Sequence, residues 1–129
     1  MSRLLLDTHA LLWWLTGNDA MADSVRDEVA PKSNNVGVSA ATAWEIATKV
    51  QLGKLAIASE IVQNFSAYLE QARFIPLLIT VRHAVRASLL PSLHRDPFDR
   101  ILIAQALEEG MILVSNEKIF DSYGVTRLW

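Results

Sequence analysis

The stretch that decides the fold is His94-Arg95-Asp96-Pro97-Phe98-Asp99-Arg100-Ile101-Leu102-Ile103-Ala104-Gln105-Ala106, in which a charged segment runs directly into an almost wholly apolar helix. Asp before Pro is a favourable helix start, because Asp caps free backbone N–H groups and Pro needs no donor at the first helical position. The apolar residues that follow leave little surface for solvent, which predicts a helix packed on more than one side. Asp99 lies in its first turn, where a carboxylate either completes the cap or serves a site.

Length and composition bound the possibilities. The chain has 129 residues, 51% of them hydrophobic, so we expect a single domain over residues 1–129. A formal net charge of −2 provides no basic field for nucleic acid, so any such binding must come from a local patch. The absence of cysteine excludes thiol chemistry and agrees with a cytoplasmic protein. No apolar run reaches membrane-spanning length, so we expect no membrane partner.

Short apolar runs alternate with helical patterns along the whole chain. Strands are predicted at residues 3–6, 36–38, 74–77, 111–114 and 125–128. Helices are predicted at residues 8–15, 21–29, 41–50, 59–72, 81–89 and 97–109. This alternation predicts a three-layer α/β/α domain, whose parallel sheet of about five strands is covered on both faces. Pro76 places the third strand at an edge, since proline cannot donate to a ladder.

Acidic side chains occur where strands of this sheet end. Asp7 follows the first strand, and Glu117 follows the fourth. Asp99 begins the helix that leads into the fourth strand, and Glu45 lies one and a half turns into its own helix. In open parallel sheets, ligands bind outside the carboxyl ends of the strands. Carboxylates gathered there repel one another, and their hard oxygen atoms favour Mg²⁺ or Mn²⁺ over zinc.

Each acid also has a structural interpretation. Asp7 can cap the helix that follows it, Glu45 can pair with a lysine one turn on, and a first-turn Glu117 gains from the helix dipole. Asp96, directly before a proline, is the better cap of its helix, which leaves Asp99 free to act. The local sequence alone leaves capping and ligand roles open for Asp7.

Aromatic and basic side chains are the other candidates for contact with nucleic acid. Trp13, Trp14 and Trp44 are interpreted as core or interface residues rather than base-stacking platforms, because apolar stripes at helical spacing usually pack. Between residues 73 and 100, five arginines accompany only two acids, so this segment is locally cationic. These arginines either contact phosphates or form a solvated face.

Four blocks, spaced along the chain, carry the candidate residues. They are Leu4-Leu5-Leu6-Asp7-Thr8-His9, then Ser39 with Trp44-Glu45-Ile46, then the stretch 94–106, and finally Leu113-Val114-Ser115-Asn116-Glu117-Lys118-Ile119-Phe120 with Tyr123-Gly124-Val125. In this order and spacing they resemble the PIN-domain ribonucleases, and more narrowly the VapC-type toxins of bacterial toxin–antitoxin pairs. The resemblance implies a PIN domain with a five-stranded parallel sheet and a metal-dependent nuclease site of clustered acids.

The resemblance assigns roles residue by residue. Asp7 matches the first-strand acid of the family, Glu45 the helical acid, and Asp99 the acid that opens the long helix. Glu117 falls where many members carry Asp, and some members lack an acid there. These four residues are therefore the implied catalytic set, with Asp7, Asp99 and Glu45 as metal ligands.

Further side chains are expected to assist this set. Thr8 matches a small hydroxyl residue that supports the site, Asp96 belongs to the signature of the subgroup, and Ser115 is a supporting residue next to Glu117 in the last block. Arg95 and Arg100 are expected to pair with RNA phosphates, a contact that adds affinity without reading sequence.

The implied activity is that of an endoribonuclease, which hydrolyses RNA phosphodiester bonds with one or two Mg²⁺ ions, or Mn²⁺. The resemblance further implies a homodimer and an antitoxin protein that covers the acidic cleft. A catalytically silent PIN-like module for protein interaction is the alternative, and the near-neutral charge agrees with it. An aspartate-phosphorylated domain fits less well, because Asp7-Thr8-His9 lacks the second acid two residues on.

Overall fold

The computed structural model describes residues 2–129 and contains a five-stranded sheet in which all strand pairs are parallel. The strands are β1 (Arg3–Leu6), β2 (Asn35–Ser39), β3 (Ile75–Leu77), β4 (Ile112–Val114) and β5 (Arg127–Leu128). Their spatial order is β3-β2-β1-β4-β5, so β1 is central and β3 lies at an edge. The predicted parallel sheet is confirmed, and so is the edge position that Pro76 predicted.

Helices connect these strands. They are α1 (Thr8–Thr16), α2 (Asp23–Val29), α3 (Ala40–Gln51), α4 (Ser59–Gln63), α5 (Phe65–Ala72), α6 (Val81–Leu89) and α7 (Pro97–Glu109), with 3-10 helices at Ala56–Ala58 and Lys118–Tyr123. The helix predicted over residues 59–72 is wrong as a single element, because the backbone of Asn64 leaves the helical region (φ −128°, ψ 34°). The Asn64 side chain donates to the carbonyl of Glu60 at 3.2 Å, a local bond that competes with helix continuation. Across residues 2–129, no helix combines the length and apolar character needed to cross a membrane.

The sheet is covered on both faces, because side chains of β1 alternate between two apolar cores. Leu4 and Leu6 pack into one core with buried residues of α1, α2, α3 and α5. Leu5 packs into the other core with Leu102, Ile103 and other residues of α7. A strand buried on both faces needs a continuous apolar run, which is the pattern that residues 4–6 show. The three-layer α/β/α architecture is thereby confirmed.

Helix α7 begins and ends as its sequence predicts. The Asp96 carboxylate accepts from the amides of Phe98 at 2.9 Å and Asp99 at 3.3 Å, and Pro97 occupies the first helical position. The helix ends at Gly110, whose φ of 65° a residue with a side chain rarely adopts. Residues 102–106 are all buried. This packing fixes the first turn of α7, and Asp99 with it, at the edge of the sheet.

Candidate acidic site

Asp7 lies at the carboxyl edge of the sheet, directly after β1. Its amide donates to the carbonyl of Val114 in β4 at 3.1 Å, and its Oδ1 accepts from the amide of Ala10 at 2.8 Å. The residue is only 4% exposed. This burial raises the pKa of Asp7 above its ordinary value, although hydrogen bonds from Ser115 and Ala10 oppose the shift. Asp7 therefore caps α1, and its carboxylate is held rigidly in a desolvated position.

Three potential metal ligands lie together at the start of α7. Single ligand atoms of His94, Asp99 and Glu117 lie within 4.8 Å of one another. Nε2 of His94 is 2.6 Å from Oδ2 of Asp99. Burial raises the pKa of Asp99 to about 6, with smaller contributions from the negative charges of Asp96 and Glu117, while the hydrogen bond to His94 lowers it. Two acids and an imidazole therefore lie together in a largely desolvated position.

Glu117 connects Asp99 to Asp7 electrostatically, since its charge raises the pKa of both carboxyl groups. The Glu117 side chain is 37% exposed, and its Oε1 lies 3.9 Å from Nδ1 of His9. Its amide donates to Oγ of Ser115 at 3.0 Å. Because the Ser115 side chain also hydrogen-bonds Asp7, it links the ends of β1 and β4. We call the region lined by Asp7, Asp99 and Glu117 the acidic cleft.

Asp7 does not belong to the three-ligand group found among residues 2–129, and neither does Glu45. Glu45 is 5% exposed, and both of its carboxylate oxygens have partners. Oε1 accepts from Oγ1 of Thr8 at 2.5 Å, and Oε2 accepts from Nζ of Lys49 at 2.8 Å. The pairing of Glu45 with a lysine one turn on is confirmed. The pKa of Lys49 is raised, chiefly by this hydrogen bond, and the charges of Asp96 and Asp99 add to the shift. The Lys49 ammonium therefore faces the acidic cleft as well as Glu45.

The two arginines expected to bind phosphate differ in their environment. Arg100 donates five hydrogen bonds from Nε, Nη1 and Nη2 to the backbone carbonyls of Ala87, Leu90, Pro91 and His94. These bonds use every N–H of the guanidinium, so Arg100 has no donor left for a phosphate, and its described role is to hold the segment that follows α6. Arg95 is exposed, and its side chain has no hydrogen bond to residues 2–129. Arg95 is thus the available cation of the pair.

Two other arginines of the cationic segment are also engaged. Nη1 of Arg86 lies 2.9 Å from Oε1 of Glu108, and Nε of Arg82 lies 3.9 Å from Oε2 of the same residue. These contacts join α6 to α7 and neutralise part of the positive charge that the sequence places in this segment.

The tryptophans divide into two kinds. Trp13 and Trp14 are partly buried and pack against the core beneath α1, which agrees with the core interpretation. Trp44 is 64% exposed, so it is not a core residue. Its ring packs edge-to-face on Phe98, with centroids 5.0 Å apart and an interplanar angle of 80°.

Sequence reasoning gave no site role to His94, Lys49 or His9. The only signal for His94 was its position within the decisive stretch, because its contact with Asp99 depends on the conformation of the intervening loop. Lys49 was visible as the i+4 partner of Glu45, but the sequence does not show that its ammonium also faces Asp99. His9 follows Asp7-Thr8 directly, and its approach to Glu117 becomes visible only when β1 and β4 are paired.

An all-parallel α/β/α domain with carboxylates at the carboxyl edge of its central strands defines a class of α/β proteins with an acidic cleft suited to a divalent cation. Within that class, the PIN domain family profile matches residues 4–125, and the chain belongs to the PIN domain family.

The chain is similar to ribonuclease VapC22 of Mycobacterium tuberculosis (strain ATCC 25618 / H37Rv), with 24% identity over 123 residues that cover 95% of this chain and 93% of the relative. Among solved structures, it is similar to VapBC2 from Rickettsia felis bound to a DNA fragment from its promoter, with a TM-score of 0.71, 17% identity and 98% of each chain covered. It is also similar to VapBC-1 from nontypeable Haemophilus influenzae, with a TM-score of 0.66, 13% identity and coverage of 98% and 96%. The structural similarities extend along nearly the whole chain and show the same fold.

Proposed function

We propose that this protein is a Mg²⁺-dependent endoribonuclease and the toxin of a toxin–antitoxin pair. The observation that carries the proposal is the acidic cleft, in which Asp99 and Glu117 lie with His94 and are linked through Ser115 to Asp7. Membership of the PIN domain family supports it, and so does the similarity to a protein named as a ribonuclease.

The residues of the acidic cleft fit a hard divalent cation. Carboxylate oxygens are the ligands that Mg²⁺ prefers, and His94 adds a nitrogen that Mn²⁺ accepts more readily. Burial raises the pKa of both Asp7 and Asp99, so a bound cation would favour their ionised forms. We propose Asp7, Asp99 and Glu117 as the residues that hold the ion. Glu45, predicted as a ligand, accepts from Thr8 and Lys49, so its remaining lone pairs are the ones available to an ion.

When bound, Mg²⁺ would supply Lewis-acid activation of water and of the scissile phosphate. The chain itself contributes preorganisation. Because the pKa of Asp99 is about 6, its carboxylate is ionised at neutral pH and available to a cation. The Ala10 amide fixes the Asp7 side chain, and Glu45 positions Thr8 and Lys49 beside the cleft. Arg95 offers an exposed guanidinium for a backbone phosphate. No side-chain nucleophile is required.

The proposal includes RNA as substrate, a homodimer, and a cognate antitoxin that covers the acidic cleft in the cytoplasm. The similarity to the solved VapBC structures supports the antitoxin. An antitoxin that reaches the cleft would meet buried acids and Lys49, so we expect it to offer a basic side chain to Asp99 and Glu117.

The test is an RNA cleavage assay with purified, antitoxin-free protein on structured RNA, with Mg²⁺ and with EDTA. We expect cleavage by the wild type in Mg²⁺, none in EDTA, and background rates for Asp7→Asn and Asp99→Asn. Asp27→Asn, which changes an exposed acid on α2, is the matched control and should cleave as the wild type does. Equal cleavage by all variants would overturn the mechanism. Absence of cleavage by every form, wild type included, would favour the protein-interaction module.

A further inference from the structure

Trp44 lies on α3, and its ring contacts α7, the helix that carries Asp99 of the acidic cleft. In α3 it directly precedes Glu45, and its ring packs edge-to-face on Phe98, which directly precedes Asp99 in α7. This contact restrains the indole, yet the residue is 64% exposed. Trp44 is therefore a fixed aromatic surface open to solvent beside the site.

The negative charge of the acidic cleft is unfavourable for a polyanionic substrate, so an exposed aromatic ring beside the cleft can contribute to binding. Asp7, Asp99 and Glu117 repel phosphates, and the chain carries a formal net charge of −2. Arg100 is saturated by carbonyls, so it contributes no phosphate contact. In addition to the proposed ion and the guanidinium of Arg95, stacking of a base on an aromatic ring supplies an attraction that does not depend on charge.

We propose that Trp44 is a stacking platform for an unpaired RNA base next to the phosphate that the acidic cleft receives. This inference rests on the proposed function and adds to it a residue that positions the substrate, because only an unpaired base next to the site of cleavage can reach the indole. Bases within a perfect duplex are already stacked on their neighbours and have no free face for the indole. Trp44 thereby favours loops and unstructured segments over paired RNA.

The experiment compares RNA affinities with Ca²⁺ in place of Mg²⁺, using an unstructured oligoribonucleotide and a blunt RNA duplex of equal length. Trp44→Leu keeps an apolar side chain and removes the ring, and Trp44→Phe keeps a smaller ring. We expect Trp44→Leu to weaken single-strand binding by about 5- to 100-fold, as loss of one base stack does, and Trp44→Phe to weaken it less. Duplex affinity and the salt dependence of binding should stay unchanged, because stacking neutralises no phosphate.

Leu52→Ala is the matched control. Leu52 is 62% exposed and caps the C-terminus of α3, eight residues and about 12 Å from Trp44 along the helix axis, so its truncation should leave single-strand affinity unchanged. Equal weakening by Leu52→Ala and Trp44→Leu would overturn the inference, because it would indicate a general effect of apolar surface. Unchanged RNA affinity in Trp44→Leu would also overturn it, and a simultaneous change in sedimentation would assign Trp44 to a contact between protein chains.

The two experiments distinguish a role of Trp44 in RNA binding from the nuclease activity. If Trp44→Leu loses affinity for single-stranded RNA while the wild type never cleaves RNA in Mg²⁺, the role of Trp44 as a stacking platform is supported and the proposed nuclease activity is contradicted. If the wild type cleaves RNA and Trp44→Leu binds RNA with wild-type affinity, the proposed nuclease activity is supported and the role of Trp44 as a stacking platform is contradicted.

Discussion

The imidazole of His94 lies against the carboxylate of Asp99, with Nε2 2.6 Å from Oδ2. The backbone of His94 is held from both sides. Its amide donates to the Tyr123 hydroxyl at 2.7 Å, and its carbonyl accepts from Nη1 of Arg100 at 3.0 Å. The loop before α7 therefore places the His94 side chain against Asp99, which lies in the first turn of the helix. The stretch 94–106 thus contributes two residues to the site, His94 and Asp99.

Asp99→Asn is expected to stabilise the metal-free protein near pH 7.5. The pKa of Asp99 is raised from 3.8 to about 6, mainly by burial, so ionisation costs the folded state free energy above about pH 6. At 1.36 kcal/mol per pH unit the gain is at most about 3 kcal/mol, and it disappears towards pH 4, where the acid is protonated in both states. Urea unfolding of the wild type and of Asp99→Asn in EDTA, near pH 7.5 and near pH 4, measures this difference in the free energy of unfolding. A variant that is less stable at both values would contradict the burial cost.

Asp96→Ala is expected to cost stability rather than chemistry. Asp96 caps α7 through the amides of Phe98 and Asp99, and loss of such a cap costs about 1 kcal/mol. RNA cleavage should persist once the assay temperature lies well below the melting temperature. Asp99→Asn provides the opposite pattern, with a stable fold and no cleavage. Abolished cleavage in a folded Asp96→Ala protein would place Asp96 among the residues that bind the metal.

The sequence predicted the fold well, because buried parallel strands require continuous apolar runs that turn signals interrupt. Residues 4–6 and 112–114 show this pattern clearly. The break at Asn64 was missed, since Ile61, Phe65 and Leu69 continue one apolar stripe across it. A single polar residue that bonds its own backbone leaves the periodicity intact, so periodicity cannot reveal the break.

The site was predictable only where topology determines it. Asp7 and Glu117 follow parallel strands, so they lie at the same edge of the sheet for any conformation of the loops. Their proximity therefore follows from the order of strands and helices in the sequence. The contact of His94 with Asp99 depends on Tyr123, which is 29 residues away from His94 in sequence. Arg100 was expected to bind phosphate, but its side chain donates to backbone carbonyls instead. These contacts could not be predicted, because the sequence does not reveal the path of the segment that provides the carbonyls.

Arg100→Lys is expected to lower stability. The guanidinium donates to carbonyls of Ala87, Leu90, Pro91 and His94, and an ammonium with three donors on a flexible stem cannot reproduce this geometry. Loss of two or more charged hydrogen bonds should cost about 2 kcal/mol or more. Thermal unfolding measures the loss, and unchanged stability would show that the loop does not depend on Arg100.

Arg95→Ala is expected to leave stability unchanged and to weaken RNA binding in a salt-dependent way. Arg95 is exposed and has no hydrogen-bond partner among the residues the structure describes. Loss of one phosphate contact to a single strand should reduce the slope of log affinity against log salt by about 0.7. Fluorescence anisotropy over a salt series measures the slope. The matched control is Arg73→Ala, an exposed arginine after α5, which should keep the wild-type slope.

Lys49→Met is expected to destabilise the metal-free protein more than the Mg²⁺-bound one. The Lys49 ammonium pairs with Glu45, which is 5% exposed, and it also faces Asp96 and Asp99. Removing it leaves a buried carboxylate with one partner fewer. Because the Lys49 side chain is 41% exposed, solvent screening limits the cost to about 1 kcal/mol.

A divalent cation in the acidic cleft replaces part of the missing positive charge, so the gain in melting temperature on adding Mg²⁺ should be larger for Lys49→Met than for the wild type. Lys54→Met, an exposed lysine beyond the end of α3, is the matched control and should show the wild-type gain. Equal gains in all three proteins would mean that Lys49 and the metal do not share one electrostatic site. A larger gain confined to Lys49→Met would instead locate the cation at the start of α7, where Lys49 interacts with the charges of Asp96 and Asp99.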